Sequence, residues 1–255
     1  MSDIKVLKFG TSSMGKIGSN VIGFVPPPIP LQILNCALWL NNDPSSMTLS
    51  GSNKVSQWTD SSGNGRNFTQ ATGVNQPLYT ANVVNGQGGV FFEDNTAQRL
   101  ASTFTSNIAS GNTIMLVWSQ QAPRTRDFYI FDGINNAVNR NLFQWDSNTL
   151  YSFRGSLINL KTIGASPIPL VVSMIENNAT ATDSKYFENN VQVGSNFNNG
   201  TGDIDGLTLG NRYIASSGLE RTLNGYIHEF IIYSRVLTSG ERATLQTYLA
   251  TKYGL

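Results

Sequence analysis

Apolar and polar residues alternate over short runs along most of the chain, and Gly, Asn and Ser turns separate the runs. Short runs rich in β-branched and aromatic residues between such turns predict strands. They fall at 36–40, 54–59, 67–71, 89–93, 113–120, 128–132, 142–145, 150–154, 168–176, 184–188, 206–209 and 226–233. A helical period appears only after the last of them. Thr238 stands three residues before Glu241, the spacing of a capping box. Leu245, Tyr248 and Leu249 then share one face, and Gly254 supplies a left-handed stop. A short helix with one apolar stripe has to dock, and the strand before it is the nearest partner. The pattern predicts an all-β fold: a two-sheet antiparallel jelly-roll sandwich closed by a short C-terminal helix.

The last strand breaks its own alternation. Ile227 and Phe230 are both apolar but fall on opposite faces of a regular strand. Either both faces are covered or a β-bulge near Glu229 resets the phase. Glu229 then needs a partner or water, because a lone buried carboxylate is costly.

The chain divides into three parts. Residues 1–25 carry an eight-residue repeat, Gly10 to Ile17 followed by Gly18 to Val25, with Gly at the first and sixth positions of each copy. That period suits a short strand plus a Gly turn, so a small N-terminal β arm is expected, with 5–9 as a preceding strand. Residues 26–30, Pro-Pro-Pro-Ile-Pro, read as a stiff extended linker. Residues 31–255 form the sandwich.

Composition narrows the function. Charged residues make up 13% of the 255, for a net charge of +1. A nucleic-acid binder needs a basic face, and Arg124, Arg126 and Lys161 are scattered, so no nucleic-acid partner is expected. No run is long and apolar enough to span a bilayer, and residues 1–25 lack the apolar core of a signal peptide. Synthesis and folding in a cytoplasm are expected, and the Asn67, Asn178 and Asn199 sequons are read as coincidental. The only cysteine, Cys36, reads as a buried, inert thiol.

Two stretches carry a resemblance. Leu38-Trp39-Leu40, then Val55-Ser56-Gln57-Trp58-Thr59-Asp60-Ser61-Ser62-Gly63-Asn64-Gly65, is similar to the opening strand and turn of laminin-G-like, concanavalin A-like domains. The end of the chain, from Gly225 to Leu255, resembles their final strand and helix. Together they bracket 36–255. The resemblance implies the sandwich fold; its members include lectins, hydrolases and structural modules, so it does not choose a function.

Candidate chemistry is sparse. His228, the only histidine, lies mid-strand and reads as structural. The Glu-x-Asp-x-x-Glu motif of related glycoside hydrolases is absent, and Glu176, Glu188 and Glu229 stand apart. No catalytic, cofactor-binding or metal site is assigned, and no enzyme activity is expected. Some relatives hold calcium; Asp203 and Asp205 are the best local pair, although a turn explains them as well, as it does Asp60. For sugar stacking, Trp39, Trp58 and Trp118 read as core, leaving Trp145 and Tyr213 as the more exposed rings.

The arm also resembles Gly-rich leaders of bacteriophage head and tail proteins. That implies a virion structural protein, a capsid decoration or head fibre made in the host bacterial cytoplasm. Residues 1–25 would attach it to other virion proteins or to two sister arms in a trimer. The alternative is a glycan-binding module that holds surface polysaccharide; a glycoside hydrolase comes third.

Overall fold

The computed structural model describes residues 13–17, 21–25, 28–121, 127–135, 140–146, 148–163, 167–180, 182–213 and 221–255. It is the expected antiparallel sandwich with a C-terminal helix. In one sheet the order is Val191–Gln192, Lys185–Glu188, Val171–Asn177, Asn112–Gln120 and Gly225–Tyr233. The far edge of Gly225–Tyr233 is shared: Cys36–Leu40 pairs with residues 230–233 and Gln87–Phe92 with 225–227. The second sheet runs Met47–Ser50, Lys54–Trp58, Phe68–Thr69, Leu100–Ile108, Ile204–Leu209, Phe128–Asp132, Leu142–Asp146, Thr149–Phe153 and Leu157–Thr162.

Between the sheets lies an aromatic core that includes Trp58, Phe68, Trp118, Phe131, Phe143 and Phe230. A second apolar layer, with Met115, Val117, Met174, Ile231 and Tyr233, covers the outer face of the first sheet and meets Leu245, Leu249 and Tyr253 of the helix. Asn112–Gln120 and Val171–Asn177 are therefore buried along their whole length. The helix spans Ser239–Tyr253. Thr238 caps it in a capping box with Glu241, and Gly254 ends it at φ 72°.

The phase problem of the last strand resolves as a bulge. Val117 pairs with Glu229 and Trp118 with Ile227, so His228 is the extra residue. Ile227 and Phe230 thereby both reach the inter-sheet core, while Ile231 and Tyr233 face the helix layer.

Three expectations need adjustment. The strand starts at Val171 and not at 168: Pro169 has no N–H to donate to a ladder, although the Ile168 carbonyl still accepts the Gln120 N–H at 2.9 Å. Met47–Ser50, Leu78–Val84, Leu100–Ile108 and Leu157–Thr162 are strands that the pattern missed, and most of their Ser, Thr and Asn side chains face water. Of the expected extended linker, residues 26 and 27 lie outside the described residues; Pro28 is extended (ψ 150°), but Ile29–Gln32 forms a helical turn. Proline is tolerated there because the first turn's N–H groups have no intrahelical acceptor. Pro30 is buried, and its carbonyl accepts the Tyr233 hydroxyl at 2.9 Å.

In the arm, Ser13–Ile17 and Val21–Val25 pair as an antiparallel hairpin in a sheet of its own, one strand per repeat copy. The expected strand at 5–9 lies outside the described residues.

Leu249 has no exposure and anchors the helix. Leu249→Ala is expected to lower unfolding stability by roughly 2–5 kcal/mol, measured by chemical denaturation. A loss under about 0.5 kcal/mol, the scale of an ordinary surface change, would mean that the helix is peripheral.

Candidate functional site

The bulge aims two polar side chains in different directions. Glu229 points toward the helix layer and has no exposure. Its Oε1 accepts Trp39 Nε1 at 2.7 Å; its Oε2 accepts Lys252 Nζ at 2.7 Å and the Tyr253 hydroxyl at 2.9 Å. The Tyr248 hydroxyl lies 3.5 Å from Oε1. Burial first, and then the Glu229 charge, pushes the pKa values of Tyr248 and Tyr253 up, so both hydroxyls keep their protons and donate. This is the partner that the sequence required of Glu229.

His228 is also fully buried. Its Nδ1 lies 2.9 Å from the Gly88 carbonyl. A carbonyl only accepts, so Nδ1 carries the proton. Nε2 then presents a lone pair with no partner in the structure. Burial pulls the imidazole pKa down to about 4, and the ring packs between Tyr226 and Tyr253. It is a neutral structural histidine. Gly88 and Gly89 make room for these rings: a Cβ at Gly88 would run into the Tyr79 ring, and one at Gly89 into the His228 ring.

Where the first sheet meets the helix, a cleft of about 590 Å³ opens against this cluster. Tyr79, Tyr248 and the edge of Trp39 supply its rings, and Asn42, Asp43 and Gln87 its polar groups, with Lys252 at the base. Asn42 is held by its amide nitrogen, which donates to Gln87 Oε1 at 3.1 Å and to the Gly88 carbonyl at 3.3 Å. Asp43 is exposed, and its Oδ1 takes the Ser45 N–H at 2.8 Å; that bond holds its carboxyl below the usual range. Such a surface can stack a pyranose face and hydrogen-bond its hydroxyls. Of these groups only Trp39 was weighed for sugar stacking in the sequence, and Tyr248 stood out only as part of the helix's docking face. The signal present was the polar run Asn41-Asn42-Asp43 directly after the Trp39-Leu40 strand end.

The other candidates fall elsewhere. Glu176 pairs with Arg242 at 2.6 Å, and Glu188 with Lys161, so Glu176, Glu188 and Glu229 are each neutralised by a base. Asp60 clamps its turn, accepting the N–H groups of Trp39, Ser62 and Arg66. Asp203 accepts the Ser110 N–H at 3.0 Å, and Asp205 Oδ1 is buried without a hydrogen-bond partner. Among the described residues no three His, Cys, Asp or Glu side chains gather as a metal cage. Cys36 is partly exposed, and burial raises its thiol to about 12, so it is inert at neutral pH. Trp39, Trp58 and Trp118 are core, as expected. Trp145 is not the exposed ring the sequence suggested: it is 5% exposed and stacks on Phe128 at 5.7 Å, because its strand lies inside the second sheet. Tyr213 is half-buried beneath the Arg140 guanidinium. Arg124 and Arg126 lie outside the described residues. Among those residues no helix is long and apolar enough to cross a membrane.

No family model matches the sequence, and no curated protein matches it. Solved structures do match in fold. One is of botulinum neurotoxin type C, whose cell entry depends upon interaction with two ganglioside molecules (11% identity, TM-score 0.58, 84% of this chain and 51% of that one). Another is the botulinum neurotoxin serotype D ligand binding domain in complex with N-acetylneuraminic acid (12% identity, TM-score 0.58, 84% and 50%). A third is Trypanosoma rangeli sialidase in complex with the inhibitor DANA (10% identity, TM-score 0.54, 83% and 32%). The chain spans about half or less of these proteins. At such identities the likeness establishes the lectin-like sandwich fold.

The neutral burial of His228 has a pH signature. Well above pH 6.5 neither the folded nor the unfolded state binds its proton, and its contribution to stability is whole. As pH falls from about 6.5 toward about 4, the unfolded chain takes up a proton that the folded chain refuses. Unfolding stability is expected to drop by roughly 3 kcal/mol over that window from this residue. His228→Asn should flatten that part of the profile; denaturant melts at stepped pH that leave the slope unchanged would contradict it.

Proposed function

We propose that the sandwich is a carbohydrate-binding module and that the cleft between the first sheet and the helix receives the sugar. The observation that carries this reading is the pairing of two half-exposed rings, Tyr79 and Tyr248, with the Asn42, Asp43 and Gln87 side chains around one cleft. Rings take the apolar face of a pyranose, and planar amides and carboxylates take its hydroxyls. Kinship of fold with a domain solved in complex with N-acetylneuraminic acid supports it. Binding without hydrolysis fits the same geometry. Glycosidases use two carboxylates across the scissile bond, whereas Glu229, the carboxylate buried beside this cleft, is committed to Trp39, Lys252 and Tyr253.

A glycan array is expected to show saccharide-dependent binding. Tyr79→Ala and Asn42→Ala should each weaken it at least about tenfold, the scale of one lost stacking or hydrogen-bonding contact. Trp145→Ala, inside the core, should instead lower stability. An array blank across bacterial and animal glycans would defeat the reading.

A second reading concerns residues 1–25, and the hairpin with its own sheet favours it. A lone hairpin is marginal in water, and its open edges invite strands from another chain. We propose that the arm is completed by sister arms in a trimer or by another virion protein, with the sandwich displayed outward as a decoration or head fibre. Deleting residues 1–27 should leave a folded sandwich of lower assembly state by sedimentation, and one that no longer co-purifies with particles. Extending the deletion through Pro30 should also destabilise the sandwich, because Tyr233 then loses its buried acceptor. If the shorter deletion changes neither assembly mass nor particle association, the arm is not the attachment.

A further inference from the structure

A second cleft, of about 520 Å³, lies between residues 154–156 and 200–203 of the structure. Gly155, Gly200 and Gly202 form much of its wall, joined by the exposed Ser156 and Thr201 and by Asp203. Arg154 belongs to the same wall yet has no exposure to bulk water. Its Nε donates to the Gly202 carbonyl at 2.6 Å, and its Nη1 makes a long contact of 3.5 Å with the Asn178 carbonyl. Nη2 has no hydrogen-bond partner.

The charge also lacks a direct ion pair. Among the described residues no carboxylate comes within the 4.0 Å of an ion pair with Arg154, whereas Arg140, Arg235 and Arg242 each sit on one. Asp203 acts on it only through space, and its Oδ1 is committed to the Ser110 N–H. Burial drags the Arg154 pKa down to about 10, which leaves it charged at neutral pH. A buried charge without a direct counter-ion is costly, and a perturbed charged group set in a cleft is a candidate binding group. The turn over it is restricted to glycine: Gly200 is at φ 95°, and a Cβ there would collide with the Arg154 carbonyl. Nearby, Asn199 is buried, donates to Asn177 Oδ1 at 2.8 Å, and has its own Oδ1 unpartnered. That oxygen is an acceptor and offers an anion nothing, so Arg154 Nη2 is the unpartnered donor at this cleft.

We propose that this cleft binds a carboxylate or sulfate group, with Arg154 Nη2 as counter-charge and the Ser156 and Thr201 hydroxyls as further donors. The entering anion replaces the Gly202 carbonyl as the main partner of the guanidinium. Resting on the glycan reading, the group belongs to an acidic sugar; without that reading, it is a free oxyanion.

The test uses the full chain at constant ionic strength, with calorimetric titration of D-galacturonate, D-galactose and inorganic sulfate. Galacturonate and galactose share a ring and differ in the carboxylate. Galacturonate is expected to bind at least tenfold more tightly than galactose, with sulfate competing. Arg154→Lys, which keeps the charge but loses the planar fork, should abolish the difference. Should that variant fail to fold, the double change Ser156→Ala and Thr201→Val, on exposed turns, should weaken galacturonate and sulfate at least threefold. Equal affinity for the two sugars, unmoved by the double change, overturns the anion site and leaves the glycan reading standing. Sulfate binding that depends on Arg154, with no sugar bound here or on the array, supports the anion site and defeats the glycan reading. If neither galacturonate nor sulfate binds, Arg154 is a structural residue only and the proposal is wrong.

Discussion

The joint on which the molecule depends is the Glu229 carboxylate. It draws a donor from the opening strand (Trp39) and two from the closing helix (Lys252 and Tyr253), while sitting itself on the final strand. These are the segments most distant in the chain, and the carboxylate holds them in one register. The arrangement is demanding because every partner is buried or half-buried. Removing a donor would leave a charge in a low-dielectric interior, which costs several kcal/mol. The apolar layer around Ile231 and Leu249 supplies the driving force for docking the helix, and Glu229 fixes the position at which it docks.

The bulge at His228 makes this possible. Were the strand to alternate regularly onward from Ile227, Glu229 would face the inter-sheet core and Phe230 would face away from it. With the bulge, Phe230 turns inward to meet Phe131 edge-on, and Glu229 turns outward to Lys252. The same displacement sets the His228 ring against Gly89 on one side of Gln87–Phe92, while Tyr79 fills the space at Gly88. The cleft is thus a consequence of how the helix, the bulge and a glycine pair fit together. Tyr248 and Lys252 are anchored to Glu229, so the cleft is largely formed before a ligand arrives, which reduces the ordering cost of binding.

Much of this was legible in the sequence, for identifiable reasons. The Thr238–Glu241 box and Gly254 are local signals, and both stand where they were read. The clash of phase between Ile227 and Phe230 is arithmetic on a two-residue period, and it placed the bulge within one residue. Strands buried on both faces, such as Asn112–Gln120, announce themselves as apolar runs. Leu100–Ile108 does not, because its outward Thr105, Ser106 and Asn107 read like a loop until Ile204–Leu209 pairs with it. The site was less legible. Tyr79, Gln87 and Tyr248 come from separate elements, and only tertiary structure brings them to one rim. Trp145 misled because an adjacent Asp146 suggested a surface position, whereas the alternating face of its strand buries the ring against Phe128.

The charged groups divide in a way that bears on function. Glu229, Glu176, Glu188 and Asp132 each hold a base, and Arg140, Arg235 and Arg242 each hold an acid. Pairing of this kind stabilises a frame, because a partly or fully buried charge is offset by an opposite charge in contact with it. Arg154 departs from the pattern: it is fully buried where the other three are partly exposed, and it lacks the carboxylate they have. In a chain with 13% charged residues, an unpaired guanidinium under a glycine turn is an uncommon expense of folding energy. The polar cleft beside it is where an external anion would satisfy the guanidinium without any rearrangement of the paired charges elsewhere in the frame.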